Sequence, residues 1–268
     1  MNNISFLGGS GYICNSIRNQ NFENQNKIKF YSRRSLNNCI KYKNLDEIPT
    51  SEILFDLSQW ANGKDIEKYG IEIMRESIIK AINRCNYYIF ISTLSIDINN
   101  SCKYTLDQYS NAKLEFEKLI LSLPQENTYI LRIPSCFNKN PKSGSLIKLL
   151  FDRVNGSNQT IKQPNKYTSG IDSGDLFDFF KVLIKRPDRI PFVFGEKNLL
   201  CIGDGYAYQI QELENFLRNY LTINLKSPEE FIFSENYKVN LMNNNKWNLQ
   251  PISFPVKLLS SIKHSQKQ

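Results

Sequence analysis

Residues Phe6–Cys14 read FLGGSGYIC. The apolar NISFL run leading into the glycines has the composition of a buried strand, and the letters after Gly11 open a helix through Ile17. Gly8 suits a tight turn. Gly11 lets backbone N–H groups approach a pyrophosphate at the helix N-terminus, and Ser10, Tyr12 and Ile13 complete the loop that would face it. The place of the usual third glycine, where helix packs on strand, is taken by Cys14, small enough to be tolerated. A glycine turn into a purely structural helix explains the same letters. The choice between the two readings rests on the remainder of the chain.

Beyond this loop the chain keeps a β-α-β rhythm. KIKFYS and SEILFDLS read as strands, and IEIMRESIIKAI is an amphipathic helix with Ile71, Met74 and Ile78 on one face. NYYIFIST is almost wholly apolar or aromatic, as a strand buried on both faces must be. Asp107–Leu121 is helical, and NTYILRIP is a strand closed by Pro134. This order predicts an α/β fold with a doubly wound parallel sheet, a Rossmann fold, over residues 1–134. From residue 135 the character changes. SLIKLLFDRV, GDLFDFFKVLIK and YQIQELENFLRNYL are helical, LLCIGDG is strand then turn, and Asn243–Asn245 mark a turn. Residues 135–268 are expected to form a small mixed substrate-binding lobe interleaved with the last sheet elements, residues 172–205 partly returning to the sheet.

Composition narrows the partners. The net charge of +8 over 268 residues is dispersed, only Lys257–Lys267 being concentrated, so an anionic small ligand is expected and nucleic acid is not. No run reaches the roughly 18 apolar residues of a membrane span. Ile4 opens a strand without a basic segment before it, so no secretory signal is expected. Six cysteines are scattered and never form C-x-x-C, and the single histidine, His264, reads as a tail residue. A zinc site is not expected, and reduced thiols fit a cytoplasmic location.

The second strand ends in FYSRRS. An acidic residue there would accept hydrogen bonds from a ribose 2′-hydroxyl. Ser32, Arg33 and Arg34 instead suit a 2′-phosphate by charge and by fork geometry, so NADP (NADPH) is the expected cofactor, against a merely solvated basic turn.

The helix QYSNAKLEFE, Gln108–Glu117, holds Tyr109 and Lys113 four positions apart. With 14 Tyr and 24 Lys in 268 residues, about one such match is due by chance, so the spacing alone carries nothing. Its setting carries more. The order strand-GGSGYI, strand-FYSRR, strand-LFDLSQ, strand-IFISTLS, helix-YSNAKLEFE, strand-ILRIP resembles the extended branch of the short-chain dehydrogenase/reductase family, to which nucleotide-sugar epimerases, dehydratases and reductases belong. GIDSGDLFDFF and LLCIGDG resemble later segments of the same family, so the likeness spans about residues 4 to 217.

The resemblance implies roles. Tyr109 would exchange a proton with a carbonyl or alcohol, assisted by Lys113, and Thr93 would hold the same oxygen. Positions i and i+4 share a helix face, so the ammonium is expected to lower the tyrosine's pKa. Lys113 would also reach the nicotinamide ribose. Leu57, Ser58 and Pro134 are expected at the cofactor, and Thr93, Cys136, Lys148 and Arg153 at the substrate. A buried structural thiol explains Cys136 too, and a solvated helix face explains the two cations. Glu115, Glu117 and Lys118 are expected on an exposed or dimer-facing side, and a homodimer is implied. Asp56 reads either as a cofactor contact or as a hydrogen-bonded strand-end carboxylate.

Departures sharpen the reaction. Relatives that dehydrate sugars place an Asp-Glu pair directly after the Thr, where this chain has Leu94 and Ser95. The asparagine common near the start of the Ile71 helix is missing, and the short Arg34–Ser51 interval predicts a reduced strand–helix pair. The expected function is an NADPH-dependent 4-keto reductase of a sugar carried on a nucleotide diphosphate, in surface polysaccharide biosynthesis. The alternatives are an epimerase with tightly bound NAD(P) and a non-catalytic dinucleotide-binding module.

Overall fold

Alternation within each apolar strand gives the sheet two hydrophobic faces. In the computed structural model, which describes residues 3–18, 20, 27–35, 39–58, 70–222, 238–240 and 254–265, seven strands pair in parallel. They are β1 (Ile4–Leu7), β2 (Ile28–Ser32), β3 (Ile40–Lys41), β4 (Ser51–Asp56), β5 (Cys85–Thr93), β6 (Thr128–Ile133) and β10 (Leu199–Cys201). Their order is β10-β6-β5-β4-β1-β2-β3, with all neighbours parallel. Ile4, Phe6, Ile53, Phe55, Ile89, Ile91, Leu131 and Ile133 face one side, and Leu7, Leu54, Tyr88, Phe90 and Ile130 the other.

Helices cover both faces. On the first lie α1 (Tyr12–Arg18), α6 (Ser173–Lys185) and α7 (Ile190–Phe194); on the second lie α2 (Ile71–Ile82) and α4 (Gln108–Leu121). Phe6 stacks between Phe30 and Phe55 at 4.9 and 4.7 Å, and Phe180 of α6 packs on Phe55 at 4.7 Å, which anchors a helix from the second half of the chain to the sheet. Short α3 (Ser95–Ser101) follows β5. The reduced unit after Arg34 is visible: between β2 and β4 the described elements are the two residues of β3 and a 3-10 turn at Leu45–Glu47.

The remaining elements build a second cluster. The strands are β7 (Ser135–Phe137), β8 (Tyr167–Thr168), β9 (Gly170–Asp172), β11 (Tyr206–Gln209) and β12 (Lys238–Asn240); the helices are α5 (Leu146–Val154), α8 (Ile210–Thr222) and α9 (Phe254–Ser265). β7 pairs with β9, and β11 with β8 and β12. Phe137, Leu150, Phe151, Leu213, Phe216, Phe254, Leu258 and Ile262 form their core. His264 lies on α9, where its Nδ1 is 2.8 Å from the Ser260 carbonyl, so part of the basic tail is helix. The turn read at Asn243–Asn245 lies outside the described residues. Among those residues no helix is long and apolar enough to cross a membrane, and no cluster of His, Cys, Asp or Glu could hold a metal.

Candidate active site

Strand order reverses between β1 and β4, so a crevice opens at their carboxyl ends, where sheets of this kind bind ligands. Gly8 occupies that turn with φ +81°, and a Cβ there would lie 2.5 Å from the Leu57 carbonyl oxygen; only glycine fits. The Gly9 N–H donates to Tyr31 O and the Gly11 N–H to Gly8 O, both at 2.8 Å. A Cβ at Gly11 would meet only Gly8 O, at 3.1 Å, so the loop's outer side faces open space. Cys14 is fully buried in the sheet core where the helix crosses the strand. Tyr12 turns away from the loop. Its hydroxyl donates to Asn140 O at 3.2 Å, and burial with nearby Cys136 pushes its pKa up to about 12.

At the end of β2, Ser32 is buried and its Oγ accepts from the Arg34 N–H at 3.0 Å. The Arg33 and Arg34 side chains are exposed, and none of residues 32–34 is acidic. At the end of β4, Asp56 is buried and committed. Its Oδ1 accepts from the Ser58 N–H at 2.8 Å and from the Ser58 hydroxyl, and its Oδ2 from Tyr88 OH at 2.7 Å. The hydrogen-bonded reading of Asp56 therefore describes it, and Leu57 and Ser58 close the crevice beside Gly8. A glycine turn open on its outer side, with two exposed guanidinium groups at the next strand end, fits a dinucleotide.

The second group lies across the crevice. Thr93 ends β5, and its Oγ1 accepts from the Ser95 N–H at 3.2 Å and lies 3.1 Å from Ser95 Oγ. Asp107 caps α4 by accepting from Ser110 N at 2.7 Å, which sets the first turn and hence Tyr109. Tyr109 is 47% exposed and Lys113 only 5%. The Lys113 ammonium donates to Ile91 O at 2.9 Å and lies 4.5 Å over the Phe90 ring and 5.9 Å from the Tyr109 ring centre. Burial lowers the Lys113 pKa to about 8, against the pull of Asp56 and Glu117. The Tyr109 pKa is raised, first by burial and then by Asp107. That reverses the expected lowering: the ammonium is directed to a carbonyl rather than to the phenol oxygen.

Glu117 also departs from expectation. It is buried, not exposed, and pairs with Arg132 of β6, Nε to Oε1 at 2.9 Å; Arg132 also reaches Asp97 of α3 at 2.6 Å, and Cys201 donates to Asp97 at 3.2 Å. Glu115 and Lys118 form the exposed pair, at 2.7 Å. An arginine inside the apolar run TYILRI was the available signal for a buried carboxylate partner.

A cleft of about 860 Å³ lies between α3, the start of α4 and residues 134–169, with Ser95, Asp107, Pro134, Lys148, Lys166 and Ser169 in its wall. Lys148 lines it and is paired with Asp152. Cys136 does not; it packs towards the sheet core, because successive residues of β7 face opposite ways and Ser135 takes the cleft side. Burial raises the Cys136 pKa to about 12. Arg153 lines a neighbouring pocket of about 470 Å³, its Nε 3.0 Å from both oxygens of Glu214. Its charge is spent inside the lobe.

No family model and no curated protein matches the sequence. Solved structures do. An NAD-dependent NDP-hexosamine 5,6-dehydratase of tunicamycin biosynthesis shares 11% identity at a TM-score of 0.67, covering 100% of this chain and 99% of its own. The UDP-N-acetylglucosamine 4-epimerase of Methanobrevibacter ruminantium M1 shares 17% at 0.67, covering 99% and 98%. RMD of Pseudomonas aeruginosa, solved with NADPH, shares 12% at 0.63, covering 99% and 100%. The described residues of this chain share the fold of these three enzymes.

Proposed function

We propose that the protein is an NADPH-dependent reductase of a keto-sugar carried on a nucleotide diphosphate, residues 1–134 binding the dinucleotide and residues 135–268 the sugar nucleotide. The observation that carries this reading is the acid-free, doubly cationic β2 end, set in the same crevice as Thr93 and the half-exposed, protonated Tyr109. A phenol that stays protonated suits an acid, which carbonyl reduction requires; alcohol oxidation needs the phenolate. A reduced nicotinamide bound in the crevice would supply the hydride. Tyr109 gives its proton to the carbonyl oxygen, Thr93 donates a hydrogen bond to that oxygen, and Lys113, bonded to the Ile91 carbonyl, holds the helix that carries the tyrosine against β5.

Dehydration lacks its groups. Leu94 is buried and Ser95 is bonded to Thr93, while the next carboxylate on α3, Asp97, is held by Arg132 and Cys201. The cleft's volume and its lysines suit a nucleotide diphosphate sugar. A second copy would dock on α2 and α4, where Ile73 and Leu121 are about half exposed. We place the reaction in surface polysaccharide biosynthesis. The test is a panel of nucleotide-linked 4-keto sugars with NADPH consumption as the readout. Consumption with at least one is expected, and none across UDP-, dTDP- and GDP-linked compounds would overturn the reading. Stoichiometric NAD co-purifying with the protein would favour epimerisation instead.

A further inference from the structure

Among the described residues five buried side-chain polar atoms have no hydrogen-bond partner: Ser51 Oγ, Ser92 Oγ, Ser110 Oγ, Gln125 Oε1 and Ser169 Oγ. Of these, Ser169 alone belongs to the wall of the 860 Å³ cleft. Its backbone is held from both sides. Thr168 before it pairs with Tyr208, Gly170 after it pairs with Ser135, and the Ser169 carbonyl accepts from Ser135 N at 3.2 Å. The main chain at this position is therefore fixed, and only the hydroxyl can turn.

Its surroundings offer none. A Cβ built on Gly203 would lie 3.6 Å from Pro134 Cγ, 3.8 Å from Leu94 Cδ2 and 4.0 Å from Ser169 Oγ, so the hydroxyl shares a notch with a proline, a leucine and a glycine. Leu94 follows Thr93, and Pro134 closes β6. Thr93, the residue read as holding the carbonyl oxygen, is thus one position from the notch, while Pro134 and Ser169 belong to the cleft wall. A buried hydroxyl left unpaired forfeits the free energy of a hydrogen bond, a loss that alanine, one oxygen smaller, would not incur. Serine is accounted for if a ligand completes the pair.

We propose that Ser169 is a specificity-determining contact whose hydroxyl pairs with a hydroxyl of the sugar at the carbon beside the reacting carbonyl, so that the enzyme takes sugars hydroxylated there and discriminates against their deoxy counterparts. This rests on the reading of the cleft as a sugar-nucleotide site. A serine hydroxyl both donates and accepts, as a sugar hydroxyl does, and a fixed polar group rejects an analogue that leaves it unpaired.

The test compares wild type with Ser169→Ala and Ser169→Thr in the full chain. The affinities of UDP- and dTDP-linked glucose and 3-deoxyglucose are measured by calorimetry, NADPH affinity by fluorescence, and melting temperature without ligand. Wild type should bind the hydroxylated form about tenfold or more tightly than the deoxy form. Ser169→Ala should lose that preference, with affinity for the deoxy form unchanged and the ligand-free melting temperature equal or higher. Ser169→Thr should retain part of it. An unchanged preference in Ser169→Ala, a lowered melting temperature that marks a structural role, or a loss confined to NADPH would each overturn the proposal. If wild type binds no sugar nucleotide at all, the functional reading falls, and this contact with it.

Discussion

The ammonium of Lys113 donates to the backbone carbonyl of Ile91 at 2.9 Å, not to the phenol of Tyr109 one turn earlier on the same helix. A long side chain at i+4 has several directions open to it, and here it runs inward to β5, an interior strand of the sheet. The two residues thus have different environments: a half-exposed phenol, and a buried cation bonded to β5.

Removing the acid separates chemistry from binding. Tyr109→Phe keeps the ring and the helix, so NADPH affinity measured by fluorescence titration should stay near the wild-type value. Turnover should fall by about 10²-fold or more, the range for losing a general acid. Undiminished turnover would take Tyr109 out of the reaction.

Lys113 makes stability depend on pH with a defined sign. Its pKa falls from 10.5 to about 8 on folding, so between those values the unfolded chain binds the additional proton. The lysine's contribution therefore rises with pH through that window, by up to about 1.4 kcal/mol per pH unit, and is least favourable below pH 8. Buried thiols such as Cys85, whose pKa burial raises to about 12, act in the opposite sense above pH 9. The informative quantity is the difference between wild type and Lys113→Met in urea denaturation at pH 7.5 and pH 10. Relative to wild type, the Lys113→Met variant should be more stable at the lower pH than at the higher. The wild-type rate should also decline above about pH 8 as the ammonium is lost.

Arg132→Met leaves the buried Glu117 without its partner and Asp97 with one fewer. Breaking one side of a buried pair costs about 3–5 kcal/mol, and a chemical denaturation midpoint should show it. Adding Glu117→Gln to the same chain should recover part of the loss, since no uncompensated charge then remains at that point of α4.

Cofactor choice should follow the β2 end. Replacing Arg33 and Arg34 together by serine should weaken NADPH binding by about tenfold or more while leaving NADH nearly unchanged, because only the 2′-phosphate loses its charge-assisted bonds. Equal weakening of both would show that the two arginines act on the loop and not on that phosphate.

The sheet was legible because its strands are buried on both faces: NYYIFIST and TYILRI can be little else, and Gly8 at φ +81° is the glycine that the first turn required. That Tyr109 and Lys113 share one helix after the strand ending in Thr93 was readable from the order of the segments. The directions of long side chains could not. Lys113 bonding Ile91, Glu117 turning in to Arg132, and Arg153 being absorbed by Glu214 are each set by an element distant in sequence, which no local pattern records. Ser135 and Cys136 exchanged roles for a simpler reason: one step along a strand changes the face, and the register of β7 on β9 was not readable.

Phe254, on the last described helix, occupies the space a side chain at residue 170 would need, and it touches Phe137 and Tyr208 while its N–H donates to Asp204 at 2.8 Å. These partners leave the ribosome long before Phe254 does. The seven-stranded sheet can close once β10 has been made, whereas the neighbouring lobe waits with an open hydrophobic seat until α9 arrives. Chains stalled short of that helix should carry a folded first half and a sticky, protease-sensitive second one.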